Sequence, residues 1–149
     1  MLFVKRGHIP LLTVHTLASG SEGNCLLLSG GSVHLLVDAG ISARRITASL
    51  RALDLTPRDV TAVLLTHEHT DHTAGLATLT KQYRLPLYAS DGTAAALALR
   101  CPALRDVLRP IPRQYTFSLG DVNVTVFPTS HDAAGSVDYR FDRGGASVG

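Results

Sequence analysis

Apolar positions fall along this chain in short blocks, and their spacing predicts which element each block forms. Residues 11–17 alternate weakly and predict a strand. Residues 25–28 and 33–38 predict two more, joined across the tight-turn pair Gly30-Gly31. Ser42 is placed to cap a helix reaching about Leu53. Its apolar stripe is Ile46, Leu50 and Leu53, with Arg44, Arg45 and Arg51 outside it. A loop through Pro57 leads to a continuous apolar run at residues 60–66, which predicts a buried strand. A helix over about 74–83 buries Leu76, Leu79 and Tyr83, and residues 87–89 form a short strand. An Ala-rich helix opened by Asp91 runs to about Arg100.

The pattern then changes. Pro110 and Pro112 mark a linker. Residues 115–117 and 122–127 predict strands across a Gly120-Asp121 turn, and residues 137–141 predict another, followed by a turn at Arg143-Gly144-Gly145. Strands paired through turns, then strands alternating with helices, predict an α+β domain in which a mixed sheet packs against helices.

With 149 residues the chain fits one domain able to bury a core. A net charge of +2 is too small to argue for nucleic acid or a membrane by itself. The first six residues are broken by charge and no apolar run is long enough to span a bilayer. Cys25 and Cys101 lack any Cys-x-x-Cys spacing. A cytoplasmic protein with reduced, largely structural thiols is the expectation.

Candidate chemistry concentrates in His67-Glu68-His69-Thr70-Asp71-His72, directly after the run at 60–66. Imidazole and carboxylate are what a borderline divalent ion binds. A strand end is a rigid platform on which binding groups gather. As a plain polar turn, the segment would use Asp71 to cap the helix that follows. Capping explains Asp71 but leaves three neighbouring histidines without a cause, so metal binding is the stronger reading. His131, in Ser130-His131-Asp132 after a strand, joins the set. His8, His15 and His34 read as surface or core residues, and Glu68 as a solvated or loop-supporting one. Asp38 is open between a strand-end turn residue and a functional one.

His67-x-His69-x-Asp71-His72 after an apolar strand resembles the signature of the metallo-β-lactamase fold superfamily. The strand end Val37-Asp38-Ala39-Gly40 and His131 agree with it. Ala18-Ser19-Gly20-Ser21-x-Gly23-Asn24-Cys25 resembles the exonuclease-type WalJ/YycJ branch. The resemblance implies an αβ/βα fold of which this chain is the N-terminal half. It implies up to two divalent ions, Zn or Mn, and a hydrolase in which metal-bound hydroxide attacks a phosphodiester of DNA. His67, His69 and His131 would hold the first ion, Asp71 and His72 would begin the second site, and Asp71 would also be the catalytic carboxylate. Asp38 would orient the metal loop rather than bind metal.

The family pattern has two later ligands, an Asp bridging the ions and a final His. Residues 146–149 look like the start of the strand that would carry that Asp, and no His follows His131. The expectation is therefore an incomplete second site, and a chain that forms a homodimer or is weakly stable unless a C-terminal half completes it. A thioesterase or lactamase-like hydrolase, or a non-catalytic metal-binding fragment, are the alternatives. Arg100, Arg105, Arg109 and Arg113 read as a solvated face ahead of a phosphate track.

Overall fold

The computed structural model describes residues 11–130 and 135–149. It contains ten strands and four α-helices in the described residues, in the order β1 (Thr13–Ala18), β2 (Cys25–Gly30), β3 (Val33–Val37), α1 (Ala43–Arg51), β4 (Ala62–Leu64), α2 (Thr70–Thr73), α3 (Leu76–Tyr83), β5 (Leu87–Ser90), α4 (Asp91–Arg100), β6 (Leu108–Ile111), β7 (Tyr115–Leu119), β8 (Val122–Pro128), β9 (Val137–Arg143) and β10 (Ala146–Val148). None of the described helices is long and apolar enough to cross a membrane.

Two sheets form. One is six-stranded in the order β1-β2-β3-β4-β5-β6, antiparallel through β3 and parallel from β3 to β6. The other is antiparallel, in the order β10-β9-β8-β7. The mixed sheet is the middle layer. Leu27, Leu36, Val63, Leu65 and Leu87 face the helices, packing with Ile46, Leu50, Leu76, Leu79 and Leu97. Leu28, Leu35, Ala62 and Leu64 alternate with them and face the second sheet, where they meet Val122, Val124, Val126, Tyr139 and Phe141. A strand buried on both faces reads as an unbroken apolar run, which is why residues 60–66 show no alternation.

The α+β expectation holds, with the mixed sheet packed on helices as read from the sequence. The second sheet adds a layer that the pattern alone did not separate. Ser42 does cap α1, its hydroxyl accepting from the Arg45 amide at 3.2 Å, although α1 ends at Arg51 rather than Leu53. The helix expected over 74–83 is α3, which begins at Leu76, and the short α2 precedes it. Asp71 lies inside α2, and His69 occupies its N-cap position. Asp91 opens α4 as expected, and Ser90 caps it.

The linker expected at Pro110 is a strand. Pro110 sits in β6, opposite Ala89, at the edge of the mixed sheet. An edge strand tolerates proline because an outward-facing position needs no ladder amide.

Candidate metal centre

The site grows from three chain ends that the parallel part of the sheet brings together. β3 stops at Val37, and Asp38 turns the chain with a left-handed φ of 63°, a region that Asp tolerates better than most L residues. The Asp38 amide donates to Leu64 O at 2.8 Å, so the end of β3 is locked to the end of β4. Residues 65–72 then leave β4 and fold into α2. From the second sheet, Tyr139 donates its hydroxyl to Leu65 O at 2.6 Å and the Val137 amide donates to Thr66 O at 3.0 Å. The root of the histidine loop is thus held from both sheets.

Asp38 is buried, at 4% exposure. Its carboxylate accepts from the Thr66 amide at 2.8 Å, the Thr66 hydroxyl at 2.7 Å and His72 Nδ1 at 2.6 Å. Each contact fixes a proton. An ionised carboxylate only accepts, so His72 carries its hydrogen on Nδ1 and turns Nε2 toward the site. The Thr66 hydroxyl has one hydrogen and gives it to Asp38, so it accepts from His67 Nδ1 at 2.9 Å. That places the lone pair of His67 on Nε2 as well. One buried carboxylate therefore sets the tautomers of two imidazoles, the arrangement that orients histidine ligands around metals. The hydrogen bond to Asp38 pushes the His72 imidazole above its usual pKa; burial works against this, and the charges on Asp38 and Asp71 add to it.

His67, His69 and Asp71 each offer one ligand atom, and these atoms lie within 4.8 Å of one another. His67 is buried and His69 exposed, so the group opens outward. The rings of His67 and His69 meet edge-on with centroids 4.6 Å apart, and those of His67 and His72 are 4.0 Å apart. His72 Nε2 lies 3.5 Å from Asp71 Oδ2, so Asp71 neighbours His72 as well as the His67–His69 pair. Two imidazoles and a carboxylate at this spacing are a borderline-to-hard donor set that fits a divalent ion such as zinc. His131 lies outside the described residues, as does Asp132.

Asn24 has no role legible in the sequence, and the structure supplies one. Its amide donates to Asp71 O at 2.7 Å, and its carbonyl accepts from the Gly40 amide at 2.8 Å. Its side-chain nitrogen lies 3.4 Å from Asp71 Oδ2 and 3.3 Å from His72 Nε2. Gly40 must be glycine, because a Cβ there would fall 1.7 Å from Asp71 O. The loop at 19–24 is therefore a brace against the backbone of α2. Contacts across 47 or 48 residues leave no local trace, so only the presence of Asn24 was legible.

The four arginines do not form one track. Arg100 reaches Glu68 O, Arg105 reaches Ala98 O, Arg109 reaches Asp106 O and Leu108 O, and Arg113 reaches Thr129 O and Ser136 O. Each holds a different stretch of backbone. Beside the centre, a cleft of about 450 Å³ opens between the sheets, with Asp38, Thr66 and His72 at its polar end and Leu26, Phe141 and Val148 along its apolar part.

Known proteins share this architecture and much of this sequence. Exodeoxyribonuclease YycJ of Bacillus anthracis is 39% identical over 133 residues, covering 84% of this chain and 48% of the relative. Exodeoxyribonuclease WalJ of Streptococcus pneumoniae is 37% identical with the same coverage. Ribonuclease Z of Methanopyrus kandleri is 32% identical, covering 78% of this chain and 43% of the relative. The chain spans about half the length of these curated relatives. Among solved structures, Rm3 metallo-β-lactamase superposes with a TM-score of 0.73 at 23% identity, over 93% of this chain and 60% of that one, which shows the shared fold. The model of the beta-lactamase superfamily domain matches residues 34–148, which include most of β3, the buried Asp38 and the whole histidine loop. This chain belongs to the beta-lactamase superfamily, in its metallo-β-lactamase fold, and resembles the WalJ/YycJ branch.

Proposed function

We propose that this chain is a metal-dependent hydrolase of the nuclease type that cleaves DNA phosphodiesters from a strand end. The observation that carries the proposal is the convergence of His67, His69 and Asp71 on one point, with the imidazole tautomers set from behind by Asp38 and Thr66. Identity to two exodeoxyribonucleases favours DNA over RNA and over a small thioester or lactam. The fold by itself does not choose among these reactions.

His67, His69 and Asp71 would hold the first ion, together with His131. Asp71, which neighbours both His72 and the His67–His69 pair, and His72 would take part in a second. A divalent ion held there acidifies water and offsets charge on a phosphoryl oxygen. Zinc suits the imidazoles, and manganese suits a site richer in carboxylate and water. Asp71 is the carboxylate that converges with His67 and His69, and it is the residue proposed as catalytic. Asp38, Thr66 and Asn24 orient the site without touching the ion. The free thiols Cys25 and Cys101 suit a reducing cytoplasm.

The test is degradation of an end-labelled DNA duplex, with single-stranded RNA and a thioester in parallel, in Zn or Mn and in chelator. Metal-dependent shortening of the duplex, lost in His69→Ala, is the expected result. Thioester turnover without DNA loss would move the proposal to a small-substrate hydrolase. Stoichiometric metal with no turnover at all would mark the chain as a metal-binding module.

A further inference from the structure

We propose that Arg100 is a positioning residue of the metal centre, clamping with Thr73 the peptide units on which His67 and His69 converge. The inference rests on the metal-binding reading above and adds a residue from a different element to it.

Arg100 is the last residue of α4, and its guanidinium crosses to the histidine loop. There Arg100 Nη2 donates to Glu68 O at 2.5 Å and to the Thr73 hydroxyl at 3.0 Å. The Thr73 hydroxyl has one hydrogen, which points to His69 O at 3.1 Å. The carbonyls of both Glu68 and His69 are therefore held, one by the guanidinium and one by a hydroxyl that the guanidinium also binds. Glu68 lies between the two histidines, so rotation of either peptide unit would swing a ligand nitrogen away from the shared point.

The helix that carries Arg100 is anchored in the core. Ala94 and Leu97 bury α4 in the core between helices and sheet, and Thr73 is itself buried at 8% exposure. A guanidinium is suited to this role because the two hydrogens of Nη2 reach two acceptors at once and the group keeps its charge. It also sits at the C-terminus of α4, where a cation complements the helix dipole. Arg105, close by in sequence, donates to Ala98 O and does not touch the loop. It provides a matched control.

Four variants of the full chain test this: Arg100→Ala, Arg100→Lys, Thr73→Val and Arg105→Ala. Zinc affinity is measured by competition with a chromophoric chelator, cobalt(II) is added to read ligand geometry from its visible absorption, and thermal melts report folding. Arg100→Ala is expected to bind zinc roughly tenfold more weakly, the lower end of the range for groups that orient ligands. Its cobalt spectrum should be altered. Arg100→Lys should recover part of the affinity, Thr73→Val should lose a similar amount, and Arg105→Ala should match the wild type. Should Arg100→Ala not fold, Arg100→Lys and Thr73→Val carry the comparison. Zinc affinity and cobalt spectrum unchanged in folded Arg100→Ala or Thr73→Val would overturn the proposal and leave the metal site standing. An equal loss in Arg105→Ala would also overturn it, as a general effect of destabilisation. A wild-type chain that binds neither metal would overturn both this proposal and the function above.

Discussion

The carboxylate of Asp38 holds Nδ1 of His72 at 2.6 Å and, through the Thr66 hydroxyl, governs Nδ1 of His67 as well. Asp38→Asn keeps the shape and removes the charge. Its amide nitrogen would face either the Thr66 backbone N–H, donor against donor, or the Thr66 hydroxyl and His72 Nδ1 together, which would force the His72 ring into the other tautomer. Metal affinity should fall by roughly tenfold to a hundredfold while the fold survives, as read by chelator competition and far-UV circular dichroism. An affinity equal to the wild type would show that Asp38 is only a strand-end turn residue.

Gly40 lies where the loop at 19–24 meets α2. A Cβ there would overlap Asp71 O, and backbone on both sides leaves no flexible side chain to give way. Gly40→Ala should destabilise the fold by about 1–3 kcal/mol, the usual cost of overpacking, and should displace Asp71. Urea unfolding gives the first quantity and metal affinity the second. A wild-type urea midpoint would rule out the close approach.

Cys25 is buried beside the site, and burial, with a smaller contribution from the Asp38 charge, pushes its thiol up to about 12. In the native protein it should stay protonated at pH 8 and react slowly with a thiol reagent, while the half-buried Cys101 reacts first. The unfolded chain releases the Cys25 proton from about pH 9 upward, whereas the native state keeps it. This contribution is therefore fully present below pH 9 and is lost as pH rises toward 12. By pH 10 it removes about 1.4 kcal/mol of stability. Cys25→Ala should show a correspondingly smaller loss between pH 8 and pH 10. An identical loss in both proteins would contradict the assignment.

Tyr139 links the sheets. Its buried hydroxyl donates to Leu65 O, two residues before His67. Tyr139→Phe leaves that carbonyl without this donor and should cost about 1 kcal/mol, the net worth of a buried hydrogen bond. A thermal melt reads this directly, and an unchanged midpoint would argue that the bond contributes nothing.

Much of this was legible in the sequence, and the failures have physical causes. Ser42 was read as a cap because its role is local, a hydroxyl bonding an amide three residues on. The histidine cluster was legible because its ligands lie close together on one loop. Pro110 misled because proline normally ends a strand, and only the edge position of β6 makes it acceptable. Two sheets were read as one because a strand buried on both faces has the same apolar run whatever packs on it. Asn24, Thr73 and Arg100 were invisible as supports because their partners lie across the fold. Asp38 could be read two ways from sequence, and its three hydrogen bonds favour the orienting role.

The central claim is that the loop from His67 to His72 holds a divalent ion. The most direct measurement is metal content per chain after equilibrium dialysis against zinc, for the wild type and for His69→Ala, whose exposed ring is not part of the core. At least one tightly held zinc per wild-type chain is expected, and none at that affinity in a folded His69→Ala. Equal zinc in the two proteins, or none in the wild type, would contradict it.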